Sequence, residues 1–196
     1  MNALVINSSG RTEQSVSRKL VAELVAELLV LYPKLHVNYR DVARGIPLVD
    51  DQMIEGFFTP DEYRTPELRQ ALAVSDELVD ELRAADVLII GAPVYNLSIP
   101  ACLKAWLDLV VRMGLTFTHS SAGYEGLLTT RKAYLVVTSG SVAVGTPWDF
   151  ATPYLRTILG FMGIVDVEII SATQLIVLSE APISEAREAI HHLATA

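Results

Sequence analysis

The chain has a single cysteine, Cys102, among its 196 residues. No intramolecular disulfide can form, which fits a reducing compartment. Basic charge is also scarce: 15 Lys and Arg face 23 Asp and Glu, a net charge of -8. A partner with a phosphate backbone requires a basic face, and none is visible. No apolar run approaches the ~18 residues of a membrane span. The opening "MNALVINSSG" has no basic region and too short an apolar run for a signal peptide, so a soluble, cytoplasmic protein is expected.

Familiar site motifs are missing as well. There is no G-x-x-x-x-G-K-[ST], no G-x-G-x-x-G and no G-x-S-x-G, which removes Walker, dinucleotide-fingerprint and serine-hydrolase readings. A Cys-x5-Arg phosphatase is excluded because Asp108 stands six residues after Cys102. The histidines His36, His119, His191 and His192 are not spaced as metal ligands, so no metal site is expected.

What is present is a core. The chain is 51% hydrophobic and 19% charged, enough for one folded domain over residues 1–196. Leu4 to Ile6 reads as a first strand. Val16 to Leu31 follows with an apolar stripe at Leu20, Val21, Leu24, Val25, Leu28 and Leu29, stopped near Pro33. "KLHVNYRDV" has the polar character of an edge strand. Residues 45 to 66 read as loop, from Gly45, Pro47, Gly56, Pro60 and Pro66. Helix is expected within "PDEYRTPELRQALAVSDELVDELRAA". "DVLIIGAPVYN" holds the strongest strand, a continuous apolar run suited to a sheet covered on both faces. Then come a helix in "IPACLKAWLDLVVRMG", with Pro100 in its first turn, and a strand in "KAYLVVTSGS". A helix in "PWDFATPYLRTILGFMG", a strand in "DVEIISAT" and a final helix with Ser184 as its N-cap complete the chain.

Five strands alternating with helices predict an α/β doubly wound parallel sheet in the order 2-1-3-4-5, with helices on both faces. Ligands in such sheets bind beyond the carboxyl ends of the strands, at the switch in strand order. The loops there are "NSSGRTEQSVS", "APVYNLSIP" and "TSGSVAVGTP". In the first, Ser9, Ser15, the Val16 backbone and Ser17 can close round a phosphate dianion at a helix N-terminus, with Arg11 able to add charge. Plain N-capping by Ser15 is the competing reading. In the second, Pro93 turns the chain out of its strand. Val94, Tyr95, Asn96 and Leu97 then combine apolar surface with polar rim groups suited to a flat heteroaromatic ring, or simply make a turn. In the third, Gly140 between Ser139 and Ser141 lets the backbone approach a ligand or take positive φ, or belongs to an ordinary turn. His119, in "LTFTHSSAGYEG", is a candidate pocket-rim residue or a solvated loop histidine.

From "APVYNLSIPACLKAWLDLVVRMGLTF" outward, the chain resembles the flavodoxin-like FMN-dependent NADH:quinone oxidoreductases, also called azoreductases. The likeness runs nearly end to end, through "SS", "SVS", "VSDELVDELRAADVLIIGAP", "LTFTHSSAGYEGLL", "TSGS" and "TPYLRTILGFMGI". It implies bound FMN. Its phosphate would lie on Ser9 and Ser15 to Ser17, its ring against Pro93 to Leu97, with Ser139, Gly140 and Ser141 at the other edge. It also implies NADH or NADPH as donor, and quinones or azo compounds as acceptors. The cycle would be ping-pong, two electrons passing as hydride through flavin N5, with N–H groups of Asn96 and the third loop stabilising charge on the ring. No protein nucleophile is required; His119 is a candidate substrate-pocket residue. The resemblance further implies a homodimer with active sites at the interface, for which the helix around Trp106 and the segment with Phe57 and Phe58 are candidates. Two departures bear on substrate preference: "SGSV" replaces an "SRGG"-like third loop, and His119 stands where some relatives carry an aromatic residue. The alternatives are a flavodoxin-type electron carrier and a flavin-free binding module on the same fold.

Overall fold

The computed structural model describes residues 1–193. In chain order the elements are β1 (Asn2–Asn7), α1 (Val16–Leu31), β2 (His36–Asp41), a 3-10 turn (Val42–Arg44), α2 (Asp51–Phe58), a second 3-10 turn (Asp61–Tyr63), α3 (Pro66–Arg83), β3 (Val87–Pro93) and α4 (Ala101–Val110). There follow β4 (Phe117–Ser120), β5 (Gly123–Gly126), β6 (Lys132–Thr138), α5 (Ala151–Phe161), β7 (Val167–Ala172), α6 (Leu175–Leu178) and α7 (Ala181–Leu193).

The five long strands form one parallel sheet in the order β2-β1-β3-β6-β7, the expected 2-1-3-4-5 once the short β4 and β5 are set aside. β3 is buried along its whole length, as its unbroken apolar run requires. Successive side chains go to opposite faces. Leu4, Ile6, Leu88, Ile90 and Leu135 pack with Leu72, Trp106 and Leu155 from α3, α4 and α5. Val5, Ile89 and Val136 pack on the other face with Leu20 and Leu24 of α1 and Ile190 of α7. β2 is the polar edge that its sequence predicts.

Several expectations need correction. Residues 45 to 66 are not all loop: α2 forms there, capped by Asp50, which accepts from the Met53 N–H at 2.9 Å. Gly56, read as a breaker, is the point of helix contact; a β-carbon on it would lie 2.9 Å from Leu72 of α3. α5 begins at Ala151 rather than Pro147, because Asp149 holds the preceding turn and accepts from Thr152 N–H at 2.9 Å. Pro100 sits one position before α4. Ser184 lies inside α7, its N–H bonded to Glu180 O at 3.0 Å, so it is not the cap.

"LTFTHSSAGYEG" folds as the antiparallel hairpin β4–β5. Its rings lie over the end of α5: Phe117 and Tyr124 stand 4.6 and 5.2 Å from Phe161, centroid to centroid. Backbone meets backbone here. A β-carbon on Gly126 would fall 2.0 Å from the Gly163 nitrogen, a clash that no rotamer change relieves. Gly126→Ala is therefore expected to destabilise the fold by about 3 kcal/mol or more. A melting temperature within a degree or two of the parent protein would contradict this packing.

Candidate functional site

The three loops at the carboxyl ends of β1, β3 and β6 meet in one cleft. Its first part, about 340 Å³, is lined by Ser9, Arg11, Gln14, Ser15, Val16 and Ser17 from the β1 loop. Pro93, Val94, Tyr95, Thr138, Ser139 and Gly140 come from the β3 and β6 ends, with Leu175 and Ile176 of α6 as the far wall. Val94, Ser139 and Gly140 also line an adjoining hollow of about 500 Å³ with Asn96, Leu97, Ser141 and Val142. Every loop residue predicted to contact a cofactor thus borders one or other of these two adjoining hollows.

Capping and anion binding turn out to be compatible in the first loop. Ser15 is the N-cap of α1, accepting from Arg18 N–H at 3.3 Å, and its Oγ lies 3.1 Å from Ser17 Oγ. The cap uses the third helical N–H. Those of Val16 and Ser17, the first two, have no acceptor among the described residues and border the cleft. Ser9, Ser15 and Ser17 are all buried.

Arg18 gives this loop its shape. Its Nε donates to Arg11 O at 2.9 Å and its Nη2 to Ser9 O at 2.7 Å. The same guanidinium grips Asp41 with two bonds of 2.8 Å. Asp41 also accepts from Ala43 N–H and Arg44 Nε, both at 3.2 Å. The Arg18 hydrogen bonds hold the Asp41 carboxyl below its ordinary range. Arg18 carries no local motif: its partner is at the end of another strand, and only the fold brings them together.

The second loop is a tight turn. Tyr95 N–H donates to Ser98 O at 2.8 Å and Ser98 N–H to Tyr95 O at 3.1 Å. Asn96 and Leu97 between them have φ of 49° and 73°, the backbone signs of a type I′ turn. A leucine there is strained, at about 1–3 kcal/mol. The turn leaves the Asn96 and Leu97 N–H groups without acceptors among the described residues. The Tyr95 hydroxyl accepts from Gly10 N–H at 3.2 Å, joining second loop to first.

The third loop leans on α6. Ser139 Oγ donates to Val142 O, while Ser139 O and Gly140 O accept from Leu175 and Ile176 N–H at 3.1 and 2.9 Å. Gly140 does not have positive φ; a β-carbon there would come within 2.8 Å of Ile176 Cδ1, so the exposed isoleucine side chain would have to swing aside. Gln14, Thr138, Leu175 and Ile176 complete the cleft and were not singled out in the sequence. Thr138 followed from the strand-end rule, whereas nothing in "QLIVL" signals a cleft wall.

Three candidates stand away from this cleft. His119 borders neither part of the cleft; it sits exposed in the hairpin with its ring 4.6 Å from that of Tyr124. Trp106 is 0% exposed and belongs to the core, while Lys104 and Asp108 of the same helix face outward. Phe57 lies beneath the Arg112 guanidinium at 4.3 Å, leaving Phe58, 78% exposed, as the outward ring of its segment. Cys102 Sγ donates to Ser8 O at 3.3 Å, and burial pushes its thiol pKa up, which disfavours the thiolate. Among the described residues no group of side chains could hold a metal ion, and no helix is long and apolar enough to cross a membrane.

A parallel sheet in this order, with a serine-lined helix N-terminus and a tight turn facing one cleft, defines the flavodoxin-like class. The sequence model of that family, described as the flavodoxin-like fold, matches residues 1–194. An FMN-dependent NADH:quinone oxidoreductase of Thiobacillus denitrificans is 50% identical over 173 residues, covering 88% of this chain and 84% of the relative. FMN-dependent NADH:quinone oxidoreductase 1 of Hahella chejuensis is 42% identical over 187 residues, covering 95% and 92%. The crystal structure of an azoreductase from Bacillus anthracis superposes with a TM-score of 0.90 at 28% identity, covering 98% of both chains. The chain belongs to the flavodoxin-like family and, within it, to the FMN-dependent NADH:quinone oxidoreductases.

Proposed function

We infer that this chain is an FMN-dependent NADH:quinone oxidoreductase with azoreductase-type activity, and that its flavin occupies the cleft between the β1, β3 and β6 loops. One observation carries the placement: buried serines and two acceptor-free N–H groups at the α1 N-terminus line a hollow that adjoins the one lined by the strained Asn96–Leu97 turn. The donor set suits FMN. Ser9, Ser15, Ser17 and the Val16 N–H offer hydroxyl and amide donors to a phosphate dianion at the positive end of a helix dipole. Pro93, Val94, Tyr95 and Leu97 offer apolar surface for the isoalloxazine, and Asn96, Ser139, Gly140 and Ser141 offer polar groups at its rim.

Bound there, FMN supplies the redox chemistry, accepting two electrons from NADH and delivering them to a quinone or azo compound. The chain positions and polarises. Arg18 and the Gly10–Tyr95 bond keep the first two loops in place. The N–H groups of Asn96 and Leu97 present fixed dipoles that favour negative charge on a neighbouring ring. Protons come from solvent, since no titratable side chain other than Arg11 and Tyr95 lines the cleft among the described residues. The assembly is a homodimer, to which the exposed Phe58, Tyr63 and Leu48 offer apolar surface. With its single cysteine the protein suits a reducing cytoplasm.

A visible spectrum tests the reading. The purified protein, supplied with FMN and freed of excess, is expected to retain an oxidised-flavin spectrum that bleaches with NADH and returns with a quinone. No retained flavin would favour a binding module that has lost its cofactor. Retained flavin that NADH cannot bleach would favour an electron carrier.

A further inference from the structure

Beside the cleft lies a third hollow of about 410 Å³. It shares Leu97, Ser141 and Val142 with the ring-facing part and is completed chiefly by Thr146, Trp148 and Gln174. Trp148 is 64% exposed, the opposite of the wholly buried Trp106. Indoles are rarely left so open, and an exposed ring bordering a cavity beside a cofactor cleft is a ready stacking surface.

The loop that presents it is braced. Thr146 Oγ1 donates to Ala143 O at 2.8 Å, and Asp149 N–H to Thr146 O at 3.0 Å. The Asp149 carboxylate, itself buried, takes the N–H of Gly145 at 3.0 Å and of Thr152 at 2.9 Å. Phe150 N–H reaches the Leu97 carbonyl at 3.2 Å, tying the loop to the turn of the cleft. The backbone on both sides of Trp148 is therefore held in place.

We propose that Trp148 forms the wall of an acceptor subsite, on which the planar ring of a quinone or azo compound stacks as it enters from the third hollow. Ser141, Thr146 and Gln174 supply polar side chains there, suited to carbonyl or azo nitrogen atoms at the edge of the acceptor. The proposal rests on the placement of FMN given above. It makes Trp148 a specificity-determining residue, acting on the acceptor more than on NADH.

The two halves of the cycle allow a clean test. FMN-loaded protein is first bleached with NADH under anaerobic conditions, then mixed with a benzoquinone, for the parent protein, Trp148→Ala and Trp148→Phe. The second-order rate of recolouring is expected to fall about three- to tenfold in Trp148→Ala and to recover largely in Trp148→Phe, the loss expected of one stacked ring. The rate of bleaching should change by less. A second readout needs no turnover: quinone titrated into the oxidised protein should quench, saturably, the emission component that Trp148→Phe lacks. Linear quenching without saturation, or recolouring of Trp148→Ala at the parental rate, would overturn the proposal. An equal loss in both half-reactions would do so too. Failure to retain or bleach FMN would instead count against the placement of the flavin, so the two failures are distinguishable.

Discussion

Ser15→Asp is expected to leave the fold as stable as before and to lower FMN affinity by at least about a thousandfold. Aspartate caps a helix as well as serine does, and its charge suits the helix N-terminus. The same charge would face a phosphate carrying about -1.5 to -2 at neutral pH. At about 4 Å and an effective dielectric constant near 20, each pair of unit charges repels by ~4 kcal/mol. Riboflavin, which lacks the phosphate, should lose far less affinity than FMN. Thermal melts and flavin titrations of the same variant read the two effects separately. Parental FMN affinity in Ser15→Asp would show that the serine loop only caps its helix.

Arg18→Ala is expected to destabilise the protein by about 2–3 kcal/mol, the range for charged hydrogen bonds, and to weaken FMN at least tenfold although Arg18 is not on the cleft wall. The variant frees the carbonyls of Ser9 and Arg11 and leaves Asp41 with only Ala43 N–H and Arg44. Arg18→Lys should recover only part of the loss, because an ammonium cannot span two carbonyls and a carboxylate as the planar fork does. The pair also predicts a pH dependence. Asp41 titrates lower in the folded protein than unfolded, so its contribution is complete above the ordinary carboxylate pKa. It fades as pH falls through that value towards the lowered one. FMN affinity of the parent should therefore fall on acidification through this window, and Arg18→Ala, already weakened, should lack this part of the pH dependence. Coincident pH curves with unchanged affinity would sink the clamp.

The sheet and the three cleft loops were readable because they rest on local signals. The strands of "DVLIIGAP" and "KAYLVV" are apolar runs whose burial the structure repeats, and the switch-point rule then picks out the loops that follow. α2 was hidden because Gly56 reads as a breaker when its role is close contact with Leu72. The hairpin was hidden because its two short strands pair only with each other and carry polar residues. Arg18, Ile176 and Trp148 were illegible for a common reason: each matters through partners distant in sequence. Trp106 itself belongs to the core, so of the helix around it only outward residues such as Lys104 and Asp108 are open to a partner.

The hydrogen bond from Gly10 N–H to the Tyr95 hydroxyl has a kinetic consequence. With Arg18 it holds the serine-loop end and the Asn96–Leu97 end of the cleft in register by contacts internal to the chain. The conformational entropy of those loops is lost on folding, not on meeting the cofactor. Flavin association should then be a single fast phase whose rate is first order in FMN, with no slow closure step. Amide exchange at Gly10 should be protected before any flavin is added. Differences in affinity among variants of the cleft wall should appear in how long the flavin stays rather than in how quickly it arrives.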